Sequence, residues 1–370
     1  MKKRIILWSV TLVLVLAGLL SVLFFLWSDA ADKKAKDDRF VFRPALITSA
    51  CIAVIEKPTA TKALLADEKA EEFRPFLEAF GLLCVSNSVA PSEARYDIVF
   101  AAEAPSSRRF SKLLKRTGEN GVLALALDVR NMKASDFRRV VESFPCADAR
   151  LWMPGAEDWI IVGRRTPRQL KLDAMLEVFT HEKAFDILAE AQATALSDVF
   201  ASYVGRLSEL KDAFDANDLS AVVRPEYFVT RDVPETDWIV RGDVDNDIYR
   251  RVAAEIRSMQ IIRRLVLQGD MLAAQGKAEA AVDAWARAMK RNPRDPMLLA
   301  RYDRLARNAW ALLRLGNTGA AAKCYETMVL MNPTDAAVVY RYATCLERLG
   351  KKEMAKAVYA RAKELRKAIK

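Results

Sequence analysis

The stretch YDIVFAAEAP, Tyr96–Pro105, decides how the chain is read. Its apolar run is built from β-branched and aromatic residues and stops at a proline, so it predicts a buried strand running into a turn. In an open α/β sheet, ligands gather outside the carboxyl ends of the strands. The residue at that end is Ala102, which has no acid, base or metal-ligating group. Similar runs flank it: CIAVIE (51–56), LLCVS (82–86) and GVLALAL (121–127) read as further buried strands. The intervening TATKALLADEKAEEFRPFLEAFG (59–81) and SSRRFSKLLKRT (106–117) read as helices. Strands alternating with helices predict a largely parallel sheet covered on both faces. ARLWMP (149–154) and WIIVGRR (159–165), joined by GAED, predict a terminal antiparallel hairpin. Asp97 reads as a polar strand edge, Arg108 and Arg109 as a solvated turn at a helix start, and residues 167–217 as mostly helical in period.

The chain has 370 residues, enough for two modest domains with additions, and 52% of them are apolar, enough for a core of ordinary size. Five cysteines, Cys51, Cys84, Cys146, Cys324 and Cys345, are dispersed without a CxxC or companion histidines. That pattern argues against a disulfide framework and against a zinc site, and no metal site is expected. The single histidine, His181, lies beside Glu182 and Lys183 and reads as a surface residue; one histidine rules out a multi-histidine metal site and argues against histidine-based hydrolysis.

Residues 5–27 carry no charge and follow Lys2, Lys3 and Arg4. An apolar run of that length suits a hydrocarbon core of about 30 Å, whereas the apolar region of a cleaved leader spans about 7–15 residues. The expectation is a retained single-pass anchor over 1–28 in a bacterial-type inner membrane, followed by a polar spacer over 29–39. Basic residues stand at both ends of the run, so they nearly balance in setting its orientation; the N-terminus is expected inside, and the side of the soluble domains is left open.

YDIVF, GENGVLALAL, FRRVVESFP, LWMPGAEDWIIVG and YFVTRDVPETDW, in that order, resemble the spermidine synthase-like proteins of the class I methyltransferase fold, over roughly residues 96–238. The resemblance implies a Rossmann-like sheet over 40–240, with YDIVF as its fourth strand, GVLALAL as its fifth and the hairpin as its last two. It also implies a sulfonium nucleoside cofactor at the carboxyl ends of the first strands and a catalytic aspartate where the chain has Ala102. Glycine is absent between Gly18 and Gly81, so the first strand has no bare turn against which a cofactor could lie. Glu103 follows Ala102 but faces the other way at a strand end. Glu56 is placed to hold a ribose only if CIAVIE is the second strand. The expectation is therefore a pseudoenzyme without cofactor or catalytic residue. An active S-adenosylmethionine-type aminopropyl- or methyltransferase, using Glu56 and Glu103, is the alternative.

Past residue 262 a repeat takes over. Gly316 and Gly350 are 34 residues apart, with Ala321 and Ala355, and Tyr325 and Tyr359, at matching offsets and Pro333 beyond them. Gly276, Ala281, Trp285, Ala288 and Pro293 repeat the same internal spacing. The step from Gly276 to Gly316 is 40, which predicts a lengthened helix near RDPMLL. This pattern resembles tetratricopeptide repeats, in three units over 262–370. The resemblance implies an α-helical superhelix whose concave groove takes a protein or peptide. Lys and Arg number 22 against 10 Asp and Glu in 262–370, which favours an acidic partner. Arg301 and Arg304 fall on the lengthened helix. Arg307, Trp310, Arg314, Tyr340, Arg341 and Arg348 are the groove candidates. The family's carboxylate-binding positions hold Val266, Asp270, Ala306 and Trp310, so that specific use is not carried over. No helix-turn-helix, finger or RNA-module signature accompanies the basic surplus, and no nucleic acid is expected. The whole reading is a membrane-anchored scaffold.

Overall fold

The computed structural model describes residues 44–104, 106–155, 157–191, 193–210, 223 and 236–368. The proposed anchor at 5–27, the spacer at 29–39 and most of YFVTRDVPETDW lie outside them. Among the described residues no helix is long and apolar enough to cross a membrane. The fold class is corrected accordingly, to an α/β region followed by a helical, tetratricopeptide-like one. The single-pass inner-membrane localisation is withdrawn with the anchor.

A second correction concerns CIAVIE. Residues 44–55 form a helix, α1, and Ile47, Ala50, Cys51, Ile52, Ala53, Val54 and Ile55 are all buried. A helix enclosed on every side is apolar on every side, and its run cannot be told from a buried strand by periodicity. The first strand is instead β1, Lys62–Leu65, drawn from the segment expected to be helical. Asp97 sets its start, accepting hydrogen bonds from Thr61 N at 2.9 Å, Thr61 Oγ1 at 3.1 Å and Lys62 N at 3.1 Å.

The chain continues through a short 3-10 turn (Lys69–Phe73), α2 (Arg74–Ala79), β2 (Leu83–Ser86), β3 (Tyr96–Ala101), α3 (Ser107–Arg116), β4 (Thr117–Asp128) and α4 (Ala134–Ser143). Strands β5 (Asp148–Trp152) and β6 (Asp158–Arg164) form the antiparallel hairpin. Strand β7 (Leu170–Lys171) and helices α5 (Leu172–Glu177), α6 (Glu182–Glu190) and α7 (Leu196–Phe200) follow. Strand β8, Tyr203–Arg206, lies where helix was expected; four residues are too few to show a period. Strand β9, Ile239–Val240, pairs with β7.

The main sheet has the order β2-β1-β3-β4-β6-β5-β8. Its first four strands are parallel, and the pairings β4–β6, β6–β5 and β5–β8 are antiparallel. Alternate residues face opposite sides. Leu65, Ile98, Phe100, Val122 and Ile160 join α1, α2 and α6 in one core. Leu64, Val99, Leu123, Leu125 and Ile161 join α3 and α4 in the other. From Leu46 onward the residues belong to one compact unit.

Candidate functional site

Six helices close the chain in three antiparallel pairs: α8 (Asn246–Ala274) with α9 (Ala278–Arg291), α10 (Pro296–Arg314) with α11 (Thr318–Met331), and α12 (Ala336–Arg348) with α13 (Lys352–Ala368). Each pair turns on a glycine with φ of 76°, namely Gly276, Gly316 and Gly350. The next residue's N–H then reaches back to close the helix end: Lys277 to Leu272 O at 2.9 Å, Asn317 to Leu312 O at 2.9 Å, and Lys351 to Leu346 O at 3.0 Å. Ala281, Ala321 and Ala355, five residues beyond each glycine, are buried where the paired helices approach. Helix α10 runs 19 residues against 13 for α12, which absorbs the longer step between repeats.

Between pairs, Asn-Pro-x-Asp recurs as NPRD and NPTD, 40 residues apart. Asp295 Oδ1 accepts from Leu298 N at 3.1 Å, and Asp335 Oδ1 accepts from Ala337 N and Val338 N at 3.0 and 3.1 Å. These aspartates cap the first helix of the next pair.

The arginines of α10 divide into two groups. Arg301 is paired with Asp270 on α8, and Arg304 reaches Glu157 of the sheet region at 3.7 Å. Arg307 and Arg314 have no ion-pair partner among the described residues, and neither do Arg341 and Arg348 on α12. Trp310 and Tyr340 are 54% and 45% exposed, unusual for large rings. The Arg314 guanidinium lies 4.8 Å from the Trp310 ring centre. That of Arg366 lies 5.1 Å from Tyr340, whose ring is 5.1 Å from Tyr359. The six candidates are all exposed on the first helices of two successive pairs, Arg307, Trp310 and Arg314 on α10 and Tyr340, Arg341 and Arg348 on α12. Arg366 and Tyr359 of α13 meet Tyr340 but were not among the candidates; the sequence signalled Tyr359 only as the repeat's aromatic position and Arg366 only as part of the basic run that ends α13. The family's clamp positions are otherwise occupied, with Val266 fully buried and Asp270 committed to Arg301 and to Trp285 Nε1.

The sheet offers a second place to look. The chain leaves β1 for β2 and returns on the other side to β3, so the crevice falls beyond the carboxyl ends of β1 and β3. Asp67, two residues past β1, accepts from Ala102 N at 3.1–3.2 Å, Glu103 N at 3.2 Å and Ala70 N at 2.9 Å. Arg109 Nη2 donates to Ala66 O at 3.1 Å. Glu56 is elsewhere, at the end of α1. Its Oε2 accepts from Arg150 Nη1 at 2.8 Å and from Arg164 Nη2 at 2.9 Å, near the amino end of β4. Glu56 and Glu103 therefore do not share a site. Burial pushes the Cys84 and Cys146 thiols up to about 12, away from the thiolate a nucleophile needs. Among the described residues no group of His, Cys, Asp and Glu is placed to hold a metal ion.

Residues 307–368 match the family model for the tetratricopeptide repeat. No spermidine synthase-like family is detected. No curated protein matches the chain.

Proposed function

We propose that the chain is an interaction protein whose helical pairs hold an acidic peptide or helix, with the α/β region as a non-catalytic platform. The tetratricopeptide match supports a protein-interaction module in general. The acidic preference rests on one observation: Arg307, Arg314, Arg341 and Arg348 have no ion-pair partner among the described residues and share their helices with exposed Trp310 and Tyr340, while neighbouring Arg301 and Arg304 are already committed. Exposed guanidinium groups beside aromatic faces suit carboxylate side chains carried on an apolar scaffold, each charged contact adding on-rate and register more than raw affinity. The groove residues are Arg307, Trp310, Arg314, Tyr340, Arg341 and Arg348, in a repeat region reading 262–370.

The test is binding of the full chain to arrays of acidic peptides and their Lys-substituted counterparts, with and without Arg307→Ala, Arg314→Ala, Arg341→Ala and Arg348→Ala combined. Acidic peptides should bind, weaken as salt rises, and lose binding in the combined variant. Equal binding to the Lys-substituted set overturns the acidic preference.

The platform reading keeps the spermidine synthase-like framework as its ancestry. Its support is the neighbourhood of β3, β4 and the β5–β6 hairpin, together with Ala102 at the end of β3 and the Asp67 carboxylate across the ends of β1 and β3. Calorimetric titration with S-adenosylmethionine and its decarboxylated form separates this reading from the rival transferase. Micromolar binding of either would favour the enzyme.

A further inference from the structure

A cavity of about 320 Å³ lies between the sheet region and the helical pairs. Its walls come from α1, from the α6–α7 segment, from α8 and from the α9–α10 turn, and they carry charge of both signs. Asp198 of α7, Arg263 of α8, and Arg294 and Asp295 of the turn all line it, Asp295 already paired with Arg263. Ala189, Ala191, Ala193 and Ala201 also line the cavity.

Arg263 is the built part of this site. Its side chain is only 5% exposed. Nε donates to Asp295 Oδ2 at 3.1 Å and Nη1 to Met153 O at 2.6 Å, which fixes the guanidinium plane. Nη2 makes no hydrogen bond to the protein among the described residues and is not one of its enclosed, unmet donors, so it stays accessible to a ligand in the cavity that Arg263 lines. Arg294 is exposed and has no ion-pair partner among the described residues; only its backbone N–H is engaged, by Asn292 Oδ1 at 3.0 Å.

Asp198 faces the opposite need. One oxygen accepts from Ala195 N at 3.0 Å, and no cation pairs with the carboxylate among the described residues. Burial first, then the charge of Glu255, push its carboxyl above the usual range, against the backbone N–H groups of Ala195 and Thr194. A ligand cation would relieve that cost.

We infer that this cavity binds a free α-amino acid with a small side chain, its carboxylate on Arg263 and Arg294 and its ammonium on Asp198. A simple carboxylate satisfies the arginines but brings a second negative charge to Asp198. A simple amine pairs with Asp198 but brings a second positive charge to Arg263 and Arg294. A zwitterion meets both, and a cavity near the lower end of the usual range for small-molecule sites, lined by alanines, limits the side chain. The site is separate from the groove proposed above and does not depend on it.

The experiment is calorimetric titration of the full chain with L-alanine and L-serine, beside propionate and isopropylamine as single-charge controls. The zwitterions should bind at least roughly tenfold more tightly than either control, the equivalent of about 1.4 kcal/mol. Arg294→Ala, at an exposed position where folding is not at stake, should weaken L-alanine by roughly tenfold or more. Asp198→Asn should weaken L-alanine and leave propionate unchanged or tighter; its melting temperature is checked alongside, because Asp198 also holds Ala195 N. Absence of zwitterion binding, propionate binding as tightly as L-alanine, or an Arg294→Ala variant with unchanged affinity overturns the assignment.

Discussion

Glu56 shows how much rests on a single oxygen. It is buried, and Oε2 alone meets Arg150 and Arg164. Arg150 also pairs with Asp148 Oδ2 at 2.7 Å and lies 4.0 Å from the Trp238 ring centre. Removing one member of a buried ion pair leaves the others charged and desolvated, at a cost of about 3–5 kcal/mol. Glu56→Ala is expected to lose that much in urea denaturation; a loss below about 1 kcal/mol would mean the cluster is not electrostatically coupled. Asp158 works in the opposite sense. It stands opposite Asp128 across the β4–β6 pair. Burial, then the charges of Asp128 and Glu157, push it up to about 7, with Arg130 opposing. Its folded value is above its unfolded one, so its contribution is fully present below the unfolded value of about 3.9. That contribution is lost as pH rises through about 7. Asp158→Asn should therefore gain stability over wild type near pH 8, on the order of 2–4 kcal/mol at most, and much less near pH 4. Denaturation midpoints at the two pH values check this, and a gain equal at both refutes it.

At the scale of elements, the glycines of the helical pairs divide by cause. In Gly269, inside α8, an added Cβ would stand 2.4 Å from Trp285 Nε1 on α9. Alanine gains about 1 kcal/mol of helix propensity, but overpacking costs about 1–3, so the clash decides and Gly269→Ala should destabilise. Gly316 has open space around its Cβ position and a φ of +76°, so Gly316→Ala should cost about 1–2 kcal/mol through backbone strain alone. Thermal melts of the two variants test both. If Gly269→Ala raises the melting temperature, the Trp285 ring yields. These local rules explain why the helical pairs were legible in the sequence: a positive-φ glycine, a small residue and an aromatic ring recur at fixed offsets. The sheet was legible where strands were long. YDIVF and GVLALAL fall on β3 and β4, and the hairpin on β5 and β6. It was illegible where strands were short, as in Lys62–Leu65 and Tyr203–Arg206, and where burial on all sides made α1 look like a strand. The exposed candidates on α10 and α12 could be named because the repeat spacing assigns them to the first helices of successive pairs. Asp67 and Arg263 could not, since their partners lie 35 and 110 residues away and no spacing rule connects them.

For the whole molecule, those distant partners matter most. Arg263 joins the capping aspartate of α10 to the backbone at the end of β5, so the sheet and the first two helical pairs share one buried charge. Repeat arrays are stabilised by nearest neighbours and can unravel from an end. An anchor of this kind instead couples the array's first pairs to a globular core. The full chain is therefore expected to lose the sheet region and the first pairs in one calorimetric transition. Arg263→Ala strands Asp295 and the Met153 carbonyl, so it should lower that transition by about 3–5 kcal/mol and separate the sheet from the pairs. Arg304→Ala is the control: its pair with Glu157 is 62% exposed on the arginine side, where screened ion pairs contribute about 0–1 kcal/mol. Coupling through the buried contact requires the first variant to split the transition and the second to leave it whole. Equal effects from both would place the coupling in the apolar contacts around them instead.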